Sequence, residues 1–273
     1  MLSARHLPVL MYHHVSDKPG LVTLTPKTFR AQMKWLAESG WKTVTTAEVE
    51  AFYRGGKLPR KSVMLTFDDG WLDNWQQVFP VLREFNLQAH IFLVTGLIGE
   101  GPVRLPGEQP EYSHQECEER IEQGRADEVM LRWSEVREMH RSGLVAFHLH
   151  THTHKRWDRM NDIWCPLNFL KSDILLGRER MKEMLGSCSK HLCWPEGYYN
   201  HDYIGVAREL GFSYLYTTER RMNGPQQGAL RIGRISTKER ESTGWLKRRL
   251  FYYTTPVFSS LLALHKGPRL TVD

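Results

Sequence analysis

Long hydrophobic runs are missing from this sequence of 273 residues. No stretch reaches the about eighteen apolar residues that a membrane-spanning helix needs, and the opening MLSARHLPVLMYHH carries no apolar segment of signal-peptide length. The chain is therefore expected to be cytoplasmic. Cysteine is sparse as well: Cys117, Cys165, Cys188 and Cys193 form no C-x-x-C pair, and buried, reduced thiols are the expectation. A large excess of one charge is also lacking. The formal net charge of +6 is modest for the length and no nucleic-acid recognition module is legible, which argues against a nucleic-acid partner. Internal repeats and low-complexity linkers are absent too, so residues 1–273 are expected to form a single domain.

What the sequence does have is alternation. Short runs of β-branched and aromatic residues (PVLMY, SVMLTF, AHIFLV, LVAFH, HLCW, SYLYT and ALRIGRI) alternate with helical patterns. PKTFRAQMKWLAESG puts Phe29, Met33 and Leu36 on one face with Pro26 opening the helix, SEVREMHRSG offers Ser134 as an N-cap, and HDYIGVARELG ends at Gly211. Apolar strands that read as buried on both faces predict an α/β fold, with a mostly parallel sheet or a distorted (β/α) barrel of about seven strands and its active residues at the strand C-termini.

Two segments break the rhythm. Residues 98–130, polar and rich in Gly and Glu, are too long for an ordinary connection; they read as an insertion, either a lid or specificity element or a solvated excursion. Residues 238–273 form a basic and aromatic extension, where Lys247, Arg248 and Arg249 mix with Trp245, Phe251 and Tyr252. That combination suits a membrane surface carrying anionic lipid; Pro256 interrupts any long helix, and packing on the barrel is the competing expectation.

The chemistry collects in two stretches. VMLTFDDGWLDNW runs an apolar strand, Val63 to Phe67, into two adjacent carboxylates and a glycine. Neighbouring side chains at such a turn point in different directions, so of Asp68 and Asp69 one can bind a cation while the other acts as a base; a plain Asp-Asp-Gly turn is the simpler alternative. FHLHTHTHKRW then sets His148, His150, His152 and His154 on alternate positions. On a helical turn His150 and His154 would share one side, and two imidazole nitrogens plus one carboxylate oxygen would leave a bound metal open to water and substrate. In an extended segment all four would share one face.

T-F-D-D-G followed about eighty residues later by H-T-H-T-H resembles the polysaccharide deacetylase family, the NodB-like carbohydrate esterases of family four, whose first two motifs are T-F-D-D-G and H-[ST]-x-x-H. The resemblance implies a NodB-like (β/α) barrel, Asp68 as catalytic base, and Asp69, His150 and His154 as metal ligands, with His148 and His152 as neighbours. A third motif, R-x-P-[YF]-G, matches CWPEGYYN only at Pro195 and Gly197. Cys193 replaces the arginine that orients the base, and Glu196 replaces an aromatic whose backbone amide helps hold the oxyanion, a role that needs no particular side chain. Arg234 in RIGRIS is the candidate substitute for the missing arginine, with Arg231 second. The start PVLMYHHVSD resembles the subgroup that includes the poly-N-acetylglucosamine deacetylases, which implies His13 as general acid, ahead of its neighbour His14 and of His265 in LLALH.

The implied reaction is metal-dependent removal of an acetyl group from an N- or O-acetylated saccharide. Zinc is the default metal, and cobalt, nickel or iron would be accepted by the same ligands. The expected substrate is a nucleotide- or lipid-linked precursor of a bacterial surface glycan such as lipopolysaccharide. Trp71, Trp75, Trp157 and Trp164 lie near the motifs, placed either to stack on sugar rings or to pack the core. Two other readings compete. HLHTHT also resembles the H-x-H motif of the polymerase-and-histidinol-phosphatase phosphoesterases, which would use His148 and His150 in a multinuclear site, although that motif normally opens its domain. The altered third motif fits, alternatively, a degenerate deacetylase that only binds saccharide.

Overall fold

The computed structural model describes residues 3–20, 22–105, 107, 109–160, 165–238, 241–255 and 258. Trp164, His265 and most of the C-terminal extension after 255 lie outside the described residues.

Strand β1 (Val9–Tyr12) leads through the short pair β2 (His14–Val15) and β3 (Thr23–Leu24) into helix α1 (Pro26–Glu38). Thr25 caps α1 by accepting from the Thr28 N–H, and Pro26 sits in the first turn, where its missing N–H costs nothing. Next come β4 (Lys42–Thr43), α2 (Thr46–Tyr53) with a Thr45/Glu48 capping box, and β5 (Ser62–Phe67). A π-helical turn, Asn74–Val78, runs into α3 (Phe79–Phe85), then β6 (Ala89–Leu93), α4 (His114–Glu122), α5 (Trp133–Arg141) and β7 (Val145–Leu149). The described chain closes with α6 (Pro166–Leu185), β8 (His191–Cys193), α7 (His201–Glu209), β9 (Tyr214–Tyr216), β10 (Ile235–Ser236) and α8 (Thr243–Thr254).

The main sheet runs β10-β1-β5-β6-β7-β8-β9, all parallel, with β4 also pairing β5. Ile232 bridges to Tyr216 and donates its N–H to Leu215 O at 2.8 Å, so the segment entering β10 touches β9 on one side and β1 on the other. The sheet thereby curls into the expected distorted barrel of seven strands. ALRIGRI becomes a strand only at Ile235–Ser236, because this segment serves two neighbours in turn and its Arg234 is committed to the interior.

Alternation along the strands sorts the side chains. Leu65, Phe67, Ile91, Leu93 and Leu149 pack under the helices, whereas Met64, Phe92, Cys193 and Tyr216 join Phe52 of α2 in a separate buried cluster. Helix α5 starts one residue before Ser134, with Arg132 at the cap position; the Glu135 carboxylate reaches back to accept from the Arg132 N–H at 2.8 Å, the return half of a capping box.

The insertion is anchored rather than a solvated excursion. Arg104 is buried, with Nε and Nη2 both 2.7 Å from the Glu135 carboxylate and Nη1 2.6 Å from Asp127 O. Past this anchor, α4 lies against the C-terminal ends of the strands. At the other end of the chain, α8 buries Leu246, Leu250 and Tyr253 against the core while Phe251, Tyr252 and Phe258 stay exposed. No described helix is long and apolar enough to cross a membrane.

Candidate active site

Loops at the C-terminal ends of the strands enclose a cavity of about 490 Å3, lined in part by His13, Asp68, Asp69, His150, His154 and Arg234. As β5 ends, Asp69 takes a left-handed backbone (φ 73°), so the two adjacent carboxylates diverge. Asp68 continues the inward alternation and is 2% exposed. The Arg234 fork meets it squarely, Nη1 to Oδ1 at 2.6 Å and Nη2 to Oδ2 at 2.8 Å, while Arg234 Nε donates to Thr217 O at 2.9 Å. His13 Nε2 lies 3.7 Å from Asp68 Oδ2.

Asp69 faces the other way. Trp71 Nε1 donates to its Oδ2 at 2.8 Å, which leaves Oδ1 at 3.4 Å from His150 Nε2 and 3.5 Å from His154 Nε2. His150 Nδ1 sits 2.8 Å from the Cys193 carbonyl, an obligate acceptor, so Nδ1 carries a proton; Nε2 donates to Asp69 while the ring is protonated and would offer its lone pair to a cation once the ring is neutral. The three ligand atoms lie within 4.8 Å of one another, and one carboxylate oxygen with two imidazole nitrogens is a donor set that fits a divalent metal such as zinc.

Burial alone would raise both carboxyls. At Asp68 the Arg234 charge outweighs it, and at Asp69 the hydrogen bond from His150 and the charge of His154 hold the group well below the usual carboxylate range. Burial pushes His13 down, against the pull of Asp68 and Asp69.

A family model for polysaccharide deacetylases matches residues 55–215. The chain belongs to the polysaccharide deacetylase family. It is 27% identical to YxkH of Bacillus subtilis over 84% of this chain and 70% of that one. It is 24% identical to the poly-beta-1,6-N-acetyl-D-glucosamine N-deacetylase of Staphylococcus aureus, over 78% of this chain and 67% of that one. The solved structure of IcaB from Ammonifex degensii superposes with a TM-score of 0.73 at 25% identity, covering 91% of this chain and 98% of that one.

In this deacetylase-family chain the histidine stretch takes neither shape expected of it. His150 prolongs β7, its N–H donating to Leu93 O at 2.8 Å; left-handed Thr151 (φ 61°) and His154 (φ 60°) then fold the chain back, and the two rings end 4.8 Å apart. His152 turns away to Thr95 Oγ1 at 2.9 Å. His148 shares His150's side of β7 but lies deeper, where His90 Nε2 meets Val44 O at 2.8 Å, His90 Nδ1 meets His148 Nε2 at 2.9 Å, and His148 Nδ1 meets Ser189 Oγ at 2.7 Å. The carbonyl fixes every proton in that chain: Ser189 donates to His148, and His148 to His90.

In the third motif, Glu196 is left-handed (φ 53°), and its side chain leaves for the rim, where Arg156 and Arg159 hold it at 2.8 and 3.3 Å. Gly197 is required: a Cβ there would sit 2.2 Å from Thr218 Oγ1. Cys193 Sγ lies 3.1 Å from Arg234 Nη2, so the thiol leaves room for an arginine arriving from another strand. Arg231 does not approach Asp68; it is bound to Tyr199 OH at 2.6 Å and Glu219 at 3.3 Å.

Of the tryptophans, Trp71 lines the cavity, whereas Trp75 and Trp157 are core residues whose indoles donate to Arg104 O and Asp173. His14 is a brace: Nδ1 lies 2.6 Å from Asp73 Oδ2 and Nε2 3.1 Å from His114 Nδ1, holding α4 so that His114, Glu118 and Ile121 wall the cavity. Sequence reasoning missed His114 and Asp173. The signal for Asp173 was a carboxylate in the apolar stripe Leu170, Ile174 and Met181.

Proposed function

We propose that this chain is a metal-dependent deacetylase of an N-acetylated saccharide. The reading is carried by the meeting of Asp69 Oδ1, His150 Nε2 and His154 Nε2 beside the Asp68 carboxylate in one cavity. When bound there, a divalent cation (zinc by default, with cobalt, nickel or iron as alternatives) would supply the Lewis acidity that acidifies water and polarises the acetyl carbonyl. Asp68, kept ionised by Arg234, is the general base that takes the proton from water. Arg234 engages both its oxygens and so fixes the plane of the carboxylate. The Glu196 backbone N–H donates to the oxyanion, and His13 protonates the leaving amine.

An N-acetylated saccharide as substrate class is supported by the Staphylococcus relative, which is named for an N-acetylglucosamine polymer. We place the substrate of this chain among lipid- or nucleotide-linked precursors of a surface glycan, handled in the cytoplasm at the inner membrane. The exposed aromatic and basic face of α8 supports a location beside anionic lipid. A binding-only role loses its support, because Arg234 takes the place beside Asp68 that the altered third motif leaves open. A phosphoesterase site built on His148 is not favoured either, since both ring nitrogens of His148 are engaged inside the barrel.

The test is acetate release from a panel of N-acetylated nucleotide sugars and lipid-linked or short oligosaccharides, with metal counted by elemental analysis. One metal per chain and acetate release that Asp68→Asn abolishes is the expected result. Saccharide binding without acetate from any member would favour the binding-only reading instead.

A further inference from the structure

Asp173 lies on the buried face of α6 and is only 3% exposed, at a position where the surrounding stripe is apolar. Its carboxylate accepts four hydrogen bonds. Oδ1 takes the backbone N–H groups of His152 at 3.0 Å and Thr153 at 2.9 Å; Oδ2 takes Thr153 Oγ1 at 3.1 Å and Trp157 Nε1 at 3.0 Å. Three of the four come from residues between His150 and His154.

Two successive N–H groups converging on one oxygen form an anion-cradling nest, and here the anion is the protein's own carboxylate. The left-handed backbones of Thr151 and His154 flank that nest, a conformation non-glycine residues hold only when their surroundings compensate. The opposite side of the turn is tied to the end of β6 by Gly96 N–H to His152 O at 2.8 Å and Thr95 N–H to Thr151 O at 3.3 Å. One helical turn beyond Asp173, Gly177 allows the close approach: a Cβ there would lie 2.6 Å from Leu149 Cδ1 and 3.4 Å from His152 N.

We propose that Asp173 is a positioning residue that sets the affinity of the His150/His154 pair for a divalent metal ion, by locking the turn that brings the His154 imidazole opposite His150. The proposal rests on the metal site of the reading above. Asp173 touches no reacting atom. In Asp173→Asn the amide oxygen can still accept the two backbone N–H groups and the Thr153 hydroxyl can accept from the new NH2 group, but that NH2 meets the Trp157 N–H donor to donor and the negative charge cradled by the nest is gone.

The test uses the full chain and Co2+ or Zn2+ alone, with no substrate. Affinity is measured by competition with a chromophoric chelator, and coordination by the visible absorption of bound Co2+. Asp173→Asn is expected to weaken binding about 10- to 100-fold, the usual range for a residue that orients a ligand, and to change the Co2+ spectrum. Met181→Ala, a buried change on the same helix away from the turn, should lower the melting temperature and leave metal affinity within about twofold. Unchanged affinity in Asp173→Asn, or an equal loss in Met181→Ala, overturns the proposal while the metal reading stands. Failure of the unsubstituted chain to bind either ion overturns the metal reading and this proposal with it. Should Asp173→Asn not fold, Thr153→Val removes one of the four bonds at nearly constant volume: a severalfold weaker site supports the proposal and an unchanged one overturns it.

Discussion

Arg234 and Asp68 stand 166 residues apart and meet inside the barrel as a two-pronged ion pair, at 2.6 and 2.8 Å. The arginine enters from the seam where the sheet closes, and Cys193, at the position of the family's own arginine, touches it at 3.1 Å. Cys193 Sγ also lies 3.8 Å from Asp68 Oδ2, so position 193 borders the same carboxylate from a second strand.

Removing one partner of a buried pair strands the other. Arg234→Ala is expected to lower stability by about 3–5 kcal/mol in urea unfolding and to abolish acetate release. Moving the arginine to its family position, in Arg234→Ala with Cys193→Arg, should recover part of both. A double variant no better than the single one would show that the two strands are not equivalent sources.

Asp68 and His150 should separate chemistry from metal binding. Asp68→Asn is expected to keep its metal and lose turnover by about 10^2 to 10^4, whereas His150→Ala should lose both. Elemental analysis beside an acetate assay distinguishes them, and near-normal rates in Asp68→Asn would remove Asp68 as the base.

The histidines beneath the cavity predict acid sensitivity. Burial pushes His90 down to about 4 and His191 to about 3, the latter despite Glu50 Oε1 at 3.4 Å, and holds His148 well below its ordinary value with His191 and His90 adding to the effect. The unfolded chain binds protons near pH 6.5 where the native barrel does not. Their stability contribution is thus complete above about pH 6.5 and lost as pH falls from there towards about 4 for His90 and about 3 for His191, at roughly 1–2 kcal/mol per histidine by pH 5. Urea midpoints at pH 7 and 5 measure it, and His90→Gln should flatten the dependence; an identical slope in that variant counts against the assignment.

The face of α8 is testable without disturbing its packing. Phe251 and Tyr252 are 54% and 38% exposed and pack against Phe258, whereas Leu246, Leu250 and Tyr253 hold the helix to the core. The chain is expected to sediment with vesicles containing anionic lipid, and Phe251→Ser with Tyr252→Ser to reduce this severalfold. Equal recovery of both proteins would end the membrane assignment.

The elements legible beforehand share one property: their cause is local. Val63 to Phe67 is apolar enough to be a buried strand wherever it lies, and the Asp-Asp-Gly that follows turns the chain at its end, so the place of Asp68 and Asp69 could be read directly. Pro26 and Gly211 likewise mark the start of α1 and the stop after α7. The cap of α5 was misread because Glu135, three residues on, outweighed the serine beside it.

Sequence by itself determined the parallel α/β barrel, its order of strands and helices and the family motifs, because hydrophobic period and turn chemistry act over a few residues. Tertiary structure alone decided which of Arg231 and Arg234 reaches Asp68, and how His150 and His154 face one another. The first depends on where the barrel seam closes, and the second on left-handed turns held by Asp173 from a different helix. Both are contacts between segments remote in sequence, and a residue's direction there is set by the partner it meets rather than by its neighbours in the chain.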